Sequence, residues 1–264
     1  MAVWGEPALV TARDHRGNRI EPFRQTRYHG SPREWEMPNR NCTRDRVWCA
    51  DLRRDRSDGG WTLHILVRGG DPSGQPRHHS YSVPQQPCCF RPGMVWEEIV
   101  REPRGGALIG IVFHQETTGE NNFRSYQRRL HLLRVPSEDG GVPVPVLDVP
   151  LSGVVEQPVC RSAEEQRARG ADCMDSFYLS TLFTLVPSVA PVEPPNLILV
   201  ATAWTSPGRR SRAGGPVLRD PVERVGDHAP DPACTFTRSY YFDEASGRYI
   251  ADGPLPDCRD FLEP

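Results

Sequence analysis

Short segments in which apolar and polar residues alternate run through most of the sequence, and turns rich in Gly, Pro, Asp and Ser separate them. In the segment 61–68 the odd positions are all apolar, whereas the even positions are polar except for Leu66. This alternation predicts a strand with one buried face and one face at least partly in water. A second apolar segment at 47–53, across the turn 55–60, completes a predicted hairpin.

The same pattern predicts strands at 79–83, 95–100, 107–114, 126–135, 143–151, 177–186, 196–204, 235–242 and 248–250. One short helix is predicted at 163–169, because Ser162 and Glu165 have the spacing of a capping box and Gly170 supplies a stop. The chain is therefore expected to be all-β, built from antiparallel hairpins.

A fixed interval links three of the predicted strands. The four residues from Leu63 to Leu66 are echoed from Leu130 to Leu133 and again from Leu197 to Val200, each time after 67 residues. Repeated sheet-like units at a regular spacing favour a β-propeller-like arrangement. The alternative is a two-sheet β-sandwich in which the echo has no structural meaning.

The length of 264 residues, with 23 Gly and 27 Pro, suits one large all-β domain with many turns. Residues 1–41 are polar and rich in Arg and Pro, so we expect an irregular or edge-strand N-terminal segment packed on the domain. Residues 42–264 are expected to form a single disulfide-linked all-β domain.

The charges nearly cancel, with 32 basic and 34 acidic residues. No overall field therefore draws the chain to nucleic acid, and we predict no nucleic-acid partner. Every basic residue is Arg, which excludes enzymes that need a phosphate-binding or Schiff-base lysine. No apolar segment is long enough to predict a membrane span, and the oligomeric state stays open.

Eight cysteines predict an oxidising compartment. Three pairs are close in sequence and are expected to form disulfides: Cys42 with Cys49, Cys160 with Cys173, and Cys234 with Cys258. The adjacent Cys88 and Cys89 have no pairing that the sequence decides. The cysteines therefore favour a periplasmic or extracellular protein. Because the first residues do not resemble a signal peptide, we expect that its leader has been removed.

Motifs of the common enzyme classes are absent from the sequence, among them G-x-S-x-G, H-E-x-x-H, C-x-x-C and a strand-linked G-x-G-x-x-G. An active site assembled from distant strands needs no such local motif, so these absences do not exclude an enzyme. We accordingly predict no cofactor, no metal site and no specific catalytic residue, and we favour a non-enzymatic role.

The segment 205–233 is the best candidate for function, because long polar segments within compact domains are usually either functional or disordered. It follows the strand ending in Trp204 and is rich in Arg. Arg forks beside an indole suit a carboxylate, a sugar or a protein surface. The predicted binding residues are Trp204, Arg209, Arg210, Arg212, Asp220 and His228.

Two functional hypotheses follow. The first is a secreted or periplasmic binding or interaction module that presents loops to a protein or glycan partner. The second is an extracellular hydrolase or lyase on a β-propeller-like scaffold. The second requires a pocket where groups such as Glu98, Glu116, His64 or His131 converge.

Overall fold

A computed structural model of the 264-residue chain describes residues 17–27, 39–55, 59–68, 75–84, 90–119, 123–137, 141–160, 162–168, 173–186, 194–206 and 229–262. The described strands are β1 (Arg19–Pro22), β2 (Arg24–Arg27), β3 (Asn39–Cys42), β4 (Trp48–Arg54), β5 (Trp61–Val67), β6 (Arg77–Val83), β7 (Arg91–Arg101), β8 (Ala107–Thr118), β9 (Arg124–Val135), β10 (Val144–Pro158), β11 (Met174–Leu185), β12 (Leu197–Ser206), β13 (Ala229–Pro230), β14 (Phe236–Asp243) and β15 (Arg248–Ala251). One α-helix, α1 (Ala163–Ala168), and a 3-10 turn at Arg259–Phe261 accompany them.

The strands form two antiparallel sheets. The large sheet has ten strands in the order β1-β7-β8-β9-β10-β11-β12-β14-β15, with β13 paired beside β12. The small sheet has five strands in the order β2-β3-β4-β5-β6. The all-β antiparallel prediction is confirmed.

The large sheet curls so that distant strands meet around an inner core. Three strands lie between β7, which carries Trp96, and β11, which carries Phe183, yet the ring centroids of these two residues lie 5.9 Å apart, edge to face. Gly110 makes this packing possible, since a Cβ there would lie 2.8 Å from the Cβ of Trp96. A register irregularity in β7 between Val95 and Ile99 accompanies the contact.

The small sheet packs on the opposite face of β7, β8 and β9 and encloses a second, intersheet core that includes Phe23, Leu63, Ile109 and Leu133. Strand β8 contributes to both cores, with Leu108 in the inner one and Ile109 in the intersheet one. Its first seven residues are all buried, which explains why they form an unbroken apolar run.

The β-propeller-like arrangement and the 67-residue repeat are not confirmed. The echoed segments lie on β5 of the small sheet and on β9 and β12 of the large sheet, with β10 and β11 between the last two. They therefore occupy different positions in the two sheets. Two sheets packed through a shared core are nearer to the alternative, a β-sandwich.

Within residues 1–41, which were expected to form an irregular or edge-strand segment, the structure contains β1, at the edge of the large sheet, β2, at the edge of the small sheet, and most of β3. Ile20 on β1 lies in the inner core, and Phe23, between β1 and β2, is fully buried in the intersheet core. Because β1 joins the large sheet and β2 the small one, this short segment links the two.

The three predicted local disulfides are confirmed: Cys42–Cys49, Cys160–Cys173 and Cys234–Cys258. Cys88 and Cys89 lie outside the described residues. The first disulfide also explains the exception in the β5 pattern, because Leu66 is only 4% exposed and packs against Cys42 and Cys49. Alternation alone predicts that Leu66 is exposed to solvent. The disulfide on the outer face of the small sheet covers it instead.

The predicted helix is confirmed as α1, beginning one residue after Ser162. The Ser162 Oγ accepts a hydrogen bond from the Glu165 backbone N–H at 3.2 Å, as the capping pattern requires. Among the described residues, no helix has the length and apolar character needed to cross a membrane.

Candidate functional site

Of the predicted binding residues, the structure describes Trp204 and places it near the end of β12. Arg209, Arg210, Arg212, Asp220 and His228 lie in 207–228, outside the described residues. Along β12 buried and half-buried residues alternate strictly, and Trp204 belongs to the half-buried set. Ala201 and Ala203 point into the inner core, so Trp204 points away from it.

Strand register extends a line of side chains sideways from Trp204. Trp204 pairs with Tyr178 on β11 and with Pro230 on β13, Tyr178 pairs with Val154 on β10, and Val154 pairs with Tyr126 on β9. Directly opposed residues in antiparallel strands lie on the same face of the sheet. These five residues therefore form one row across five strands, which we call the aromatic row.

The aromatic row is accessible to solvent. Tyr126 is 40% exposed, Pro230 is exposed, and Val154, Tyr178 and Trp204 are half-buried. Neighbouring strands lie about 4.8 Å apart, so Tyr178 and Trp204 are adjacent and Tyr126 lies about 10 Å beyond Tyr178. The row is thus a shallow apolar strip across one face of the sheet, long enough for several sugar rings.

Polar rows border the aromatic row on both sides. On one side Ser152, Ser180 and Thr202 are paired in sequence across β10, β11 and β12. On the other side Glu156 pairs with Ser176, and Ser176 with Ser206. Hydroxyl groups therefore flank the apolar strip on both sides at β11 and β12, whereas at β10 Ser152 lies on one side and the Glu156 carboxylate on the other.

The groups that an enzymatic site would need lie in different surroundings. Glu98 is 7% exposed and lies beside β1, whereas Glu116 is exposed near the end of β8. His64 is half-buried opposite Asp51, and the pKa of His64 is lowered by partial burial and by Arg53. The fourth group, His131, is buried between the sheets. The described residues thus do not bring these four side chains into one pocket.

His131 belongs to a polar connection between the sheets that sequence analysis did not identify. The Tyr81 hydroxyl lies 3.3 Å from His131 Nε2, and His131 Nδ1 lies 3.6 Å from an Asp148 carboxylate oxygen. Arg129 donates two hydrogen bonds to the other oxygen of Asp148, at 3.0 and 2.8 Å. Burial opposes ionisation of Asp148, but His131 and Arg129 outweigh it and lower the pKa of this carboxyl. The position of this group, with Tyr81 on β6 and the others on β9 and β10, suits attachment of the small sheet to the large one.

Two adjoining cavities lie near the C-terminal segment 255–262. One, of about 180 Å³, is lined mainly by apolar side chains such as Leu179 and Leu199; the other, of about 430 Å³, is more open. Tyr240 borders both. The lining residues of the two cavities do not form a recognisable catalytic arrangement.

Within the described ranges, no group of three or more His, Cys, Asp or Glu residues is arranged to hold a metal ion. Comparison with known proteins found no matching family model, curated protein or solved structure. The candidate site therefore depends on geometry alone.

Sequence analysis identified one end of this site and missed the rest. Trp204 was predicted, but Tyr126 and Tyr178 were not, although both occupy polar-face positions in predicted strands. The available signal was that each of these positions carries an aromatic residue where the alternation of the strand predicts a polar one. Only the register shows that three such residues line up.

Proposed function

We propose that this protein is a secreted or periplasmic glycan-binding module. The observation that carries the proposal is the aromatic row of Tyr126, Val154, Tyr178, Trp204 and Pro230, flanked by polar rows that carry hydroxyls at β11 and β12. Sugar rings present C–H groups on their faces, which pack on aromatic side chains, and hydroxyls at their edges, which hydrogen-bond to polar groups. An amphipathic strip of this shape offers partners for both.

The narrowness of the apolar strip favours a glycan over a protein partner. Protein interfaces usually have a fully buried apolar centre with a polar rim. Among the described residues, polar rows lie one position away from the aromatic residues on either side, and Ser180 and Thr202 separate them from the next apolar pair, Leu182 and Val200. A glycan chain lying across the strands would place its ring faces on the aromatic row and its edges over Ser180 and Thr202 on one side and Ser176 on the other.

The chain leaves the sheet after Ser206 and returns at Ala229, and Pro230 then pairs with Trp204. Residues 207–228 therefore depart from and return to the same end of the aromatic row. This supports a role for Arg209, Arg210, Arg212, Asp220 and His228 in binding the same ligand. The three disulfides support a compartment outside the cytosol.

Affinity electrophoresis in gels containing neutral or acidic polysaccharides tests the proposal. We expect retardation by at least one polysaccharide and about a tenfold loss of affinity in Trp204→Ala or Tyr178→Ala, since an aromatic contact contributes about 1.5 kcal/mol. Leu182→Ala is the matched control, because Leu182 lies on the same strand and face as Tyr178 and is 47% exposed.

Equal retardation of the Trp204 variant and the wild type would contradict the proposal. Release of reducing ends during incubation would favour the hydrolase hypothesis instead. Failure to bind any polysaccharide, together with Trp204-dependent capture of a single envelope protein, would assign the face to a protein partner.

A further inference from the structure

The two ends of the aromatic row differ in charge. Beside Tyr126, on the same face, Arg128 on β9 pairs with His114 on β8, and His114 pairs with Arg91 on β7. Arg124 lies two residues from Tyr126 on the other side and faces the same way. The Trp204 end has only hydroxyl neighbours among the described strands: Thr202 and Ser206 beside it, and Ser180 and Ser176 beside Tyr178.

The arginines at the Tyr126 end make no ion pair within the described part of the chain. Arg91 and Arg124 are exposed, and the Arg128 guanidinium donates a hydrogen bond to the Met94 sulfur at 3.8 Å. Other arginines of the protein do pair with carboxylates, for example Arg134 with Glu102 at 3.1 Å. Three arginines that remain unpaired beside an aromatic strip are placed to receive an anion from solution.

We propose that the bound glycan carries carboxylates, as uronic acids do, and that its acidic unit lies at the Tyr126 end beside Arg124 and Arg128. This inference depends on the proposed glycan-binding function and specifies its ligand. The planar guanidinium fork matches a carboxylate in a bidentate geometry. The neutral rings of the same chain would then lie toward Trp204.

Two carboxylates on the same face limit the charge density that the site accepts. Glu116 lies directly opposite Tyr126, and Glu156 lies opposite Arg124. Both repel a densely charged polyanion, such as a highly sulfated glycan or a nucleic acid, more than a chain with one charge per sugar ring. The net charge of the protein, −2, gives a polyanion no further attraction.

Isothermal titration with matched oligosaccharides tests the inference. The probes are oligomers of galacturonate, glucuronate and mannuronate, each paired with its carboxyl-reduced, neutral counterpart of the same linkage and length. We expect at least one uronate oligomer to bind about tenfold more tightly than its neutral counterpart at an ionic strength of about 0.05 M. This ratio should decline toward one at about 0.5 M.

The variant Arg124→Gln with Arg128→Gln should reduce the affinity ratio to about one. Arg248→Gln is the control, since Arg248 is exposed on β15, away from the aromatic row, and should leave the ratio at its wild-type value. Equal binding of acidic and neutral oligomers by the wild type would overturn the inference and leave glycan binding standing. Absence of binding to either member of every pair would count against the proposed function itself.

Two further ligands complete the test. Tighter binding of a sulfated oligosaccharide than of any uronate oligomer would overturn the assignment to a carboxylate. Tighter binding of a single-stranded oligonucleotide, which also stacks on aromatic side chains, would overturn both proposals.

Discussion

Glu98 provides a direct test of how this fold responds to pH. On β7 it pairs with Pro22 of β1, two residues before the Val100–Ile20 pair, so its side chain faces the inner core as Val100 does. It is 7% exposed. Burial, reinforced by the neighbouring Glu97, raises the pKa of Glu98 from its ordinary 4.5 to about 7. A carboxyl that prefers to stay neutral in the folded protein makes stability depend on pH.

The sign and size follow from the two pKa values. Between pH 4.5 and about 7 the folded state holds a proton on Glu98 that the unfolded state has lost, so the free energy of unfolding falls as pH rises. Below pH 4.5 both states are protonated and the penalty is absent. Above pH 7 both states are ionised and the folded state carries the full cost, about 3 kcal/mol for a difference of about 2.5 pKa units.

Urea denaturation of the wild type and of Glu98→Gln, from pH 4 to pH 8.5, measures this penalty. The amide of the variant does not titrate, so its advantage over the wild type should grow by about 3 kcal/mol across this range. Glu97→Gln is the comparison on the same strand: Glu97 is exposed, and its loss removes only the smaller, coulombic contribution to the raised pKa of Glu98, so its advantage should grow with pH much less than that of Glu98→Gln. A Glu98→Gln advantage that does not change with pH would refute the reasoning.

Four other variants have clear expected effects on unfolding by urea at pH 7. Tyr240→Phe should be neutral or stabilise by up to about 1 kcal/mol, because the buried Tyr240 hydroxyl has no hydrogen-bond partner among the described residues. Tyr249→Phe should destabilise by about 1 kcal/mol, because the Tyr249 hydroxyl donates a hydrogen bond to a backbone carbonyl at 2.7 Å. A larger loss in the Tyr240 variant than in the Tyr249 variant would contradict this. Glu102→Gln should cost about 3 kcal/mol, because Glu102 is buried and accepts two hydrogen bonds from Arg134; a cost below about 1 kcal/mol would show that the pair contributes little. Replacing both cysteines of the bridge around α1 by serine should cost about 3 kcal/mol and abolish amide protection in the helix, and retained protection would show that the helix persists without the bridge.

Most strands could be predicted because alternation, turns and short apolar runs are local signals. The segments 61–68 and 107–114 correspond closely to β5 and β8. How the sheets are arranged could not be predicted, since the partner of each strand depends on contacts distant in sequence. The echo between Leu63, Leu130 and Leu197 reflects similar strand composition: Leu63 lies in the small sheet and the intersheet core, whereas Leu130 and Leu197 lie in the inner core on strands of the large sheet that have β10 and β11 between them.

The cysteine pairings were predictable for the same reason as the strands: each bridge closes a short loop. Leu66 shows the limit of that approach. Its burial depends on the disulfide between Cys42 and Cys49 lying over it, which alternation within one strand does not reveal. The contact between Tyr81 and His131 was unpredictable for a similar reason, because it depends on how the small sheet packs on the large one.

The candidate site was predictable only at Trp204, yet its other members follow from the core once the register is known. Phe177 and Leu179 are buried, which directs Tyr178 between them to the outer face. A slip of one residue between β11 and β12 would expose Phe177 and Leu179 and bury Tyr178, at a large cost in apolar burial. The inner core therefore fixes the register that keeps Tyr178 beside Trp204. Substitutions that loosen this core should weaken ligand binding even where they touch no residue of the aromatic row.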